Sequence, residues 1–112
     1  MDALTVTAAR YKVGTNKGRP RIWIDGKRLA NAGFTGGTGY LCYVERGRIL
    51  LSLWPIDRLE TTIGSRTRKV TGRPNGKPII DMLGHDVETA FPGVATVFAT
   101  FEPGLIDIVA AP

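Results

Sequence analysis

The chain repeats itself, and the repeat restricts the folds open to it more than any other feature. Pro20-Arg-Ile-Trp-Ile-Asp-Gly26 is answered 58 residues later by Pro78-Ile-Ile-Asp-Met-Leu-Gly84. Phe34-Thr-Gly-Gly37 returns as Phe91-Pro-Gly-Val94, and Val44-Glu-Arg-Gly47 as Phe101-Glu-Pro-Gly104, both at a spacing of 57. Lys12-Val13 returns as Lys69-Val70 at that same spacing, so one residue is dropped between Gly84 and Phe91. A period of this length marks a supersecondary unit that cannot bury its apolar face alone. Repeat one spans 4–54 and repeat two 60–111, and units of roughly 55 residues are marginal by themselves. They are expected to share one core in a single domain, 1–112, around a pseudo-twofold axis.

Within each unit the pattern changes every few residues. Residues 4–8 alternate and are β-branched, a strand that can run on towards Val13, and 14–18 read as a loop. Residues 21–24 form a short strand with Ile22 and Ile24 on one face and Arg21 and Trp23 on the other. Asp25 is placed to cap a short helix through Lys27-Arg-Leu-Ala-Asn-Ala32, which Gly33 stops, with Leu29, Ala32 and Phe34 inward. Residues 40–45 and 48–53 make a hairpin around Arg46-Gly47. The second copy follows, with strands at 60–63, 67–71 and 79–82, a helix over 84–91, and a hairpin of 96–102 and 105–110 around Pro103-Gly104. Fourteen glycines and seven prolines, mostly at these joints, favour many short elements over long helices. The fold class is therefore mainly β with two short helices.

Charge follows the repeat as well. Residues 1–77 hold all fifteen Lys and Arg against five acids, whereas 78–112 hold five acids and no cation. Arg10, Lys12, Lys17, Arg19, Arg21, Lys27 and Arg28 surround the opening of the first unit, and Arg58, Arg66, Arg68, Lys69, Arg73 and Lys77 the opening of the second. Two equivalent clusters related by a twofold can merge into one basic face that attracts phosphate polyanions. Asp81, Asp86, Glu88, Glu102 and Asp107 would give an opposite, acidic face, either for a basic partner or for charge balance. No apolar run is long enough to span a membrane, and no apolar stretch follows Arg10 and Lys12 as in a secretory signal. One cysteine, Cys42, cannot form an internal disulfide or a metal site alone, and its alternation with Val44 places it in the core. These features fit a cytoplasmic protein with no cofactor and no metal.

Tyr11-Lys12, then Pro20-Arg-Ile-Trp-Ile-Asp-Gly-Lys-Arg-Leu-Ala-Asn-Ala-Gly-Phe34, Gly36 and a hairpin ending Val-Glu-Arg-Gly-Arg-Ile-Leu-Leu51 resembles the SymE-type proteins. The likeness covers 11–53 closely and 67–110 through the internal repeat, and it departs where the family's Trp before Leu is Arg28. SymE-type proteins look like relatives of the AbrB and MazE swapped-hairpin barrels. The resemblance implies a β-barrel formed as an intrachain pseudo-dimer, each copy lending a hairpin. It also implies nucleic-acid binding through basic residues of the first strands and loops, either as a DNA-binding transcriptional regulator or as a toxin acting on RNA.

The candidate contacts to nucleic acid are Arg10, Lys12, Lys17, Arg19 and Arg21, with Arg66, Arg68, Lys69, Arg73 and Lys77. Arginine's planar fork suits both phosphate oxygens and guanine. Lys17-Gly-Arg-Pro-Arg21 has the form of an AT-hook core for a narrow minor groove. Trp23 is placed to stack on a base or to anchor a protein partner. A nuclease could use His85 as a base with Asp81 or Asp86 nearby, or a lysine and arginines without metal, although no catalytic residue is assigned on that basis. The reading is a nucleic-acid-binding protein with duplex DNA as partner, encoded by a bacterium, phage or plasmid and associated with the nucleoid. It would act as a pseudo-dimeric monomer or as a homodimer. Two rival readings are the RNA-binding or RNA-cleaving toxin and an inhibitor that binds a host defence complex.

Overall fold

The computed structural model describes residues 6–54, 64–72 and 77–112, with the backbone alone for 64–66. The chain runs β1 (Thr7–Lys12), β2 (Gly14–Asn16), β3 (Arg19–Asp25), α1 (Lys27–Asn31), β4 (Gly39–Glu45) and β5 (Arg48–Ser52). It then repeats that order as β6 (Gly64–Lys69), β7 (Thr71–Gly72), β8 (Pro78–Leu83), α2 (His85–Ala90), β9 (Thr96–Glu102) and β10 (Leu105–Ala110). The molecule is mainly β with two short helices. The strand expected at 60–63 lies outside the described residues.

Two local expectations change. Residues 14–16 form a strand, not a loop, because Lys17 and Gly18 take positive φ of 54° and 80° and turn the chain in two residues onto β3. Gly-Thr-Asn carries no apolar alternation, so nothing in its composition signals a strand. Asp25 does not cap α1: the N-cap is Gly26 with no side-chain cap bond, and Asp25 accepts a hydrogen bond from Trp23 Nε1 at 3.3 Å.

All pairing is antiparallel, in a six-stranded sheet ordered β1-β9-β10-β5-β4-β6 and a four-stranded sheet ordered β2-β3-β8-β7. Exchange each strand for its counterpart in the other repeat, and both orders read the same backwards. The first strand of each repeat pairs with the hairpin of the other, β1 with β9 and β6 with β4. At the middle of each sheet a residue faces its own counterpart, Trp23 opposite Asp81 and Leu50 opposite Asp107. The sheets are open, and the closed barrel expected from the resemblance is not formed. β1 and β6 edge the larger sheet and β2 and β7 the smaller. After pairing with a hairpin, each first strand breaks at Val13 or Val70 and spends its last two or three residues in the smaller sheet. Among the described residues no strand bridges the outer edges.

One apolar cluster takes residues from both sheets and both helices. Ile22, Ile24, Ile80 and Met82 come from the smaller sheet, and Cys42, Ile49, Leu51, Phe101, Ile106 and Ile108 from the larger. Leu29 within α1, with Ala32 and Phe34 after it, faces inward, as do Val87, Ala90 and Phe91 around α2. Burying a side chain of this size contributes about 1.5–3 kcal/mol, so the core is the main source of cohesion between the repeats. Among the described residues no helix is long and apolar enough to cross a membrane.

Candidate nucleic-acid interface

The ten candidate cations fall into three groups. The first is exposed, and Arg10, Lys12, Lys17 and Lys69 in it have no carboxylate partner among the described residues. Strand alternation sends Ala9 and Tyr11 to the core and turns Arg10 and Lys12 outward on β1. Lys17 projects at the tip of the β2–β3 hairpin, and Lys69 ends β6 opposite Gly39. Lys77 is also exposed, just before β8.

The second group is held by carboxylates. Arg19 Nη2 donates to Glu88 Oε1 at 2.7 Å. Arg21 grips Asp81 with two bonds, Nε to Oδ1 at 2.9 Å and Nη2 to Oδ2 at 3.0 Å. Its guanidinium also lies 4.5 Å from the centre of the Trp23 ring. Arg68 Nη1 donates to Asp86 Oδ2 at 3.3 Å, and this aspartate is only 3% exposed. The third group lies beyond description: Arg73 is outside the described residues, and of Arg66 only the backbone is placed, opposite Cys42.

The pairing explains the acidic second half. Arg19–Glu88, Arg21–Asp81 and Arg48–Asp107 each join an arginine of repeat one to an acid of repeat two, the last at 2.9 Å. Three of the five acids therefore sit between the repeats and against arginines, and a fourth, Asp86, is held by Arg68 of its own repeat, so these acids do not form a separate face. Sequence reasoning missed this, although the repeat held the signal: once β3 faces β8 at Trp23 and Asp81, Arg21 lies one diagonal step from Asp81.

Electrostatic shifts follow the contacts. The hydrogen bond from Arg19 holds the Glu88 carboxyl below its usual 4.5, and the same bond raises the Arg19 guanidinium. The bond to Asp81 raises Arg21. Burial pushes the Tyr40 phenol up to about 12, although the charge of Arg68 beside it pulls the other way. Tyr11 occupies the position of Arg68 in the first repeat; burial raises its phenol and Arg28 opposes the rise.

The remaining candidates also have places. In the AT-hook-like segment, Lys17-Gly18 is a hairpin turn and Arg19-Pro20-Arg21 a strand whose two arginines are ion-paired. It is not an extended arm able to enter a groove. His85 is exposed at the start of α2, but the acids near it in sequence, Asp81 and Asp86, are engaged by Arg21 and Arg68. Cys42 is fully buried in the core. Among the described residues no three His, Cys, Asp or Glu side chains gather where they could hold a metal ion.

The centre of the smaller sheet's outer face is thus a neutralised patch of Arg21, Trp23 and Asp81, with Leu83 beside it at 41% exposure. β2 and β7 flank it three strand spacings apart, about 14 Å. No protein-family model, no curated protein and no solved structure matches the chain.

Proposed function

We propose that the chain binds nucleic acid, duplex DNA in the first instance, as an AbrB-like pseudo-dimer in which two strand edges supply the cations. The observation that carries this reading is the sorting of the candidates. Arg10, Lys12 and Lys17 along one edge and Lys69 along its counterpart are exposed without a carboxylate partner among the described residues, whereas Arg19, Arg21 and Arg68 are ion-paired. Edge cations grip phosphates and fix register, while the paired arginines organise the protein. Affinity then rests mainly on counterion release and is steeply salt-dependent.

The test is a fluorescence-anisotropy titration of duplex DNA and of single-stranded RNA across a salt series, with Lys12→Ala/Lys69→Ala as the paired variant. Sub-micromolar duplex binding that the variant loses supports the regulator. Preference for single-stranded RNA, with cleavage lost in His85→Ala, supports the toxin reading instead. Flat curves for both nucleic acids sink both readings.

One observation favours a second reading, a protein-binding inhibitor. Asp25, Asp81 and Glu88 accompany the arginines on and beside the face of the smaller sheet, where they repel phosphate. Trp23, Arg21 and Leu83 together have the composition of a protein-binding anchor. On that reading Trp23→Ala abolishes partner binding and leaves the salt dependence of nucleic-acid binding unchanged.

A further inference from the structure

The two repeats finish their equivalent junctions differently. In one, Val70 N–H donates to Thr38 O at 2.9 Å and Gly37 N–H donates to Val70 O at 2.8 Å. Gly36 then lies so close to β7 that a Cβ on it would stand 2.9 Å from Gly72 Cα. Polypeptide backbone fills the space beside the free edge of β7.

In the other junction Val13 N–H donates to Ala95 O at 2.9 Å, the same bond one repeat on. The second bond is missing. Val94 N–H turns into its own loop, to Phe91 O at 3.3 Å, and among the described residues Val13 O receives no backbone hydrogen bond. The cause is in the sequence: Gly37, at φ +85°, is replaced by Val94, which disfavours that conformation, and Gly72 is replaced by Thr15. A cleft of about 500 Å³ opens, lined chiefly by Val13, Gly14, Thr15, Pro20, Phe91 and Val94.

Three features define what fits. The walls are largely apolar. One side is the edge of β2, which among the described residues pairs only with β3, next to the Val13 carbonyl that receives no backbone hydrogen bond from them. The flanks are cationic: Lys12 and Lys17 adjoin the lining in the chain, and the acid that lines the cleft, Glu88, is already held by Arg19 at 2.7 Å. We propose that this cleft takes an extended, acidic segment of a partner protein, added as a strand to the edge of β2. Its backbone N–H donates to Val13 O, an apolar side chain packs on Pro20 and Val94, and its carboxylates reach Lys12 and Lys17. The sealed junction shows, within the same molecule, polypeptide backbone occupying the corresponding space. Strand addition draws affinity from main-chain bonds and specificity from alternate side chains. The inference does not depend on nucleic-acid binding.

The experiment titrates the ¹⁵N-labelled full chain with a capped heptapeptide of alternating valine and aspartate, following amide chemical shifts. Saturable shifts confined to the amides around 13–18 and 91–95 are expected. Exchanging aspartate for lysine weakens binding by about tenfold or more, and backbone N-methylation abolishes it. Thr15→Gly/Pro92→Thr/Val94→Gly gives these three positions the residues of the sealed junction and removes binding while distant resonances stay in place. Thr15→Arg, which fills the cleft, removes it too and serves if the triple variant does not fold. Shifts that survive both variants, or none at millimolar peptide, overturn the proposal. So does a single-stranded oligonucleotide that moves these resonances where the peptide does not, which would assign the cleft to the nucleic-acid surface.

Discussion

Lys17 has a backbone conformation that its side chain does not favour. It is the one non-glycine residue with positive φ among the described residues, and it sits at the first position of a two-residue turn that favours asparagine. Left-handed geometry costs a β-carbon residue about 1–2 kcal/mol. Lys17→Asn should therefore raise the stability measured by urea unfolding by about 0.5–1 kcal/mol. If the hairpin tip touches phosphate, the same change weakens nucleic-acid binding, so stability and affinity move in opposite directions. Glu88 offers a second test at this scale. Its pKa is lowered in the folded state by the hydrogen bond from Arg19, so its contribution is full above the usual 4.5 and is lost as pH falls through the lower folded value. The Tm difference between the native chain and Glu88→Gln should thus be present at neutral pH and vanish in the acid range below 4.5. Both partners are exposed, so the difference is small and shrinks with added salt.

Between elements, the repeats recognise one another by shape and by sign. Because β5 meets β10 with Leu50 opposite Asp107, two copies of repeat two alone would set Asp107 against itself, and β8 would do the same with Asp81. The arginines of repeat one relieve this. Arg48→Asp and Asp107→Arg should each cost about 1 kcal/mol or less, a figure discounted for partial exposure, and the double exchange should recover most of the loss in a double-mutant cycle. Independent losses that simply add would show that the pair contributes no coupling. Sterics supply the other half of the fit. Gly36 has an ordinary φ, so its substitution tests contact alone, and a methyl there meets the β7 backbone. Gly36→Ala should cost about 1–3 kcal/mol through overpacking. Thermal unfolding unchanged by that substitution would mean that the two segments do not pack as closely as described.

Across the whole molecule, what could be read in the sequence was whatever rests on one residue or one period. The spacing of 57–58 placed both helices, both hairpins and the inward faces of Ile22, Ile24, Leu29 and Phe34. β2 was missed because Gly-Thr-Asn has no pattern of its own and is a strand only because Lys17-Gly18 folds it onto β3. The candidate cations were legible as a set, but not their division, which depends on which acid of repeat two stands beside which arginine of repeat one. That division makes a prediction about the whole charge distribution. If the edge lysines contact phosphates, each contact contributes about 0.9 to the slope of log K against log salt, so Lys12→Ala/Lys69→Ala should flatten the slope by about two. Arg19→Ala should change it little, because Arg19 already donates to Glu88. Glu88→Gln should act in the opposite sense, since it removes a negative charge and frees Arg19 to reach the polyanion, and affinity should rise at low salt. Equal losses from Arg19→Ala and Lys12→Ala, with no gain from Glu88→Gln, would mean that the ion pairs open on binding. The basic face would then be assembled only on the nucleic acid.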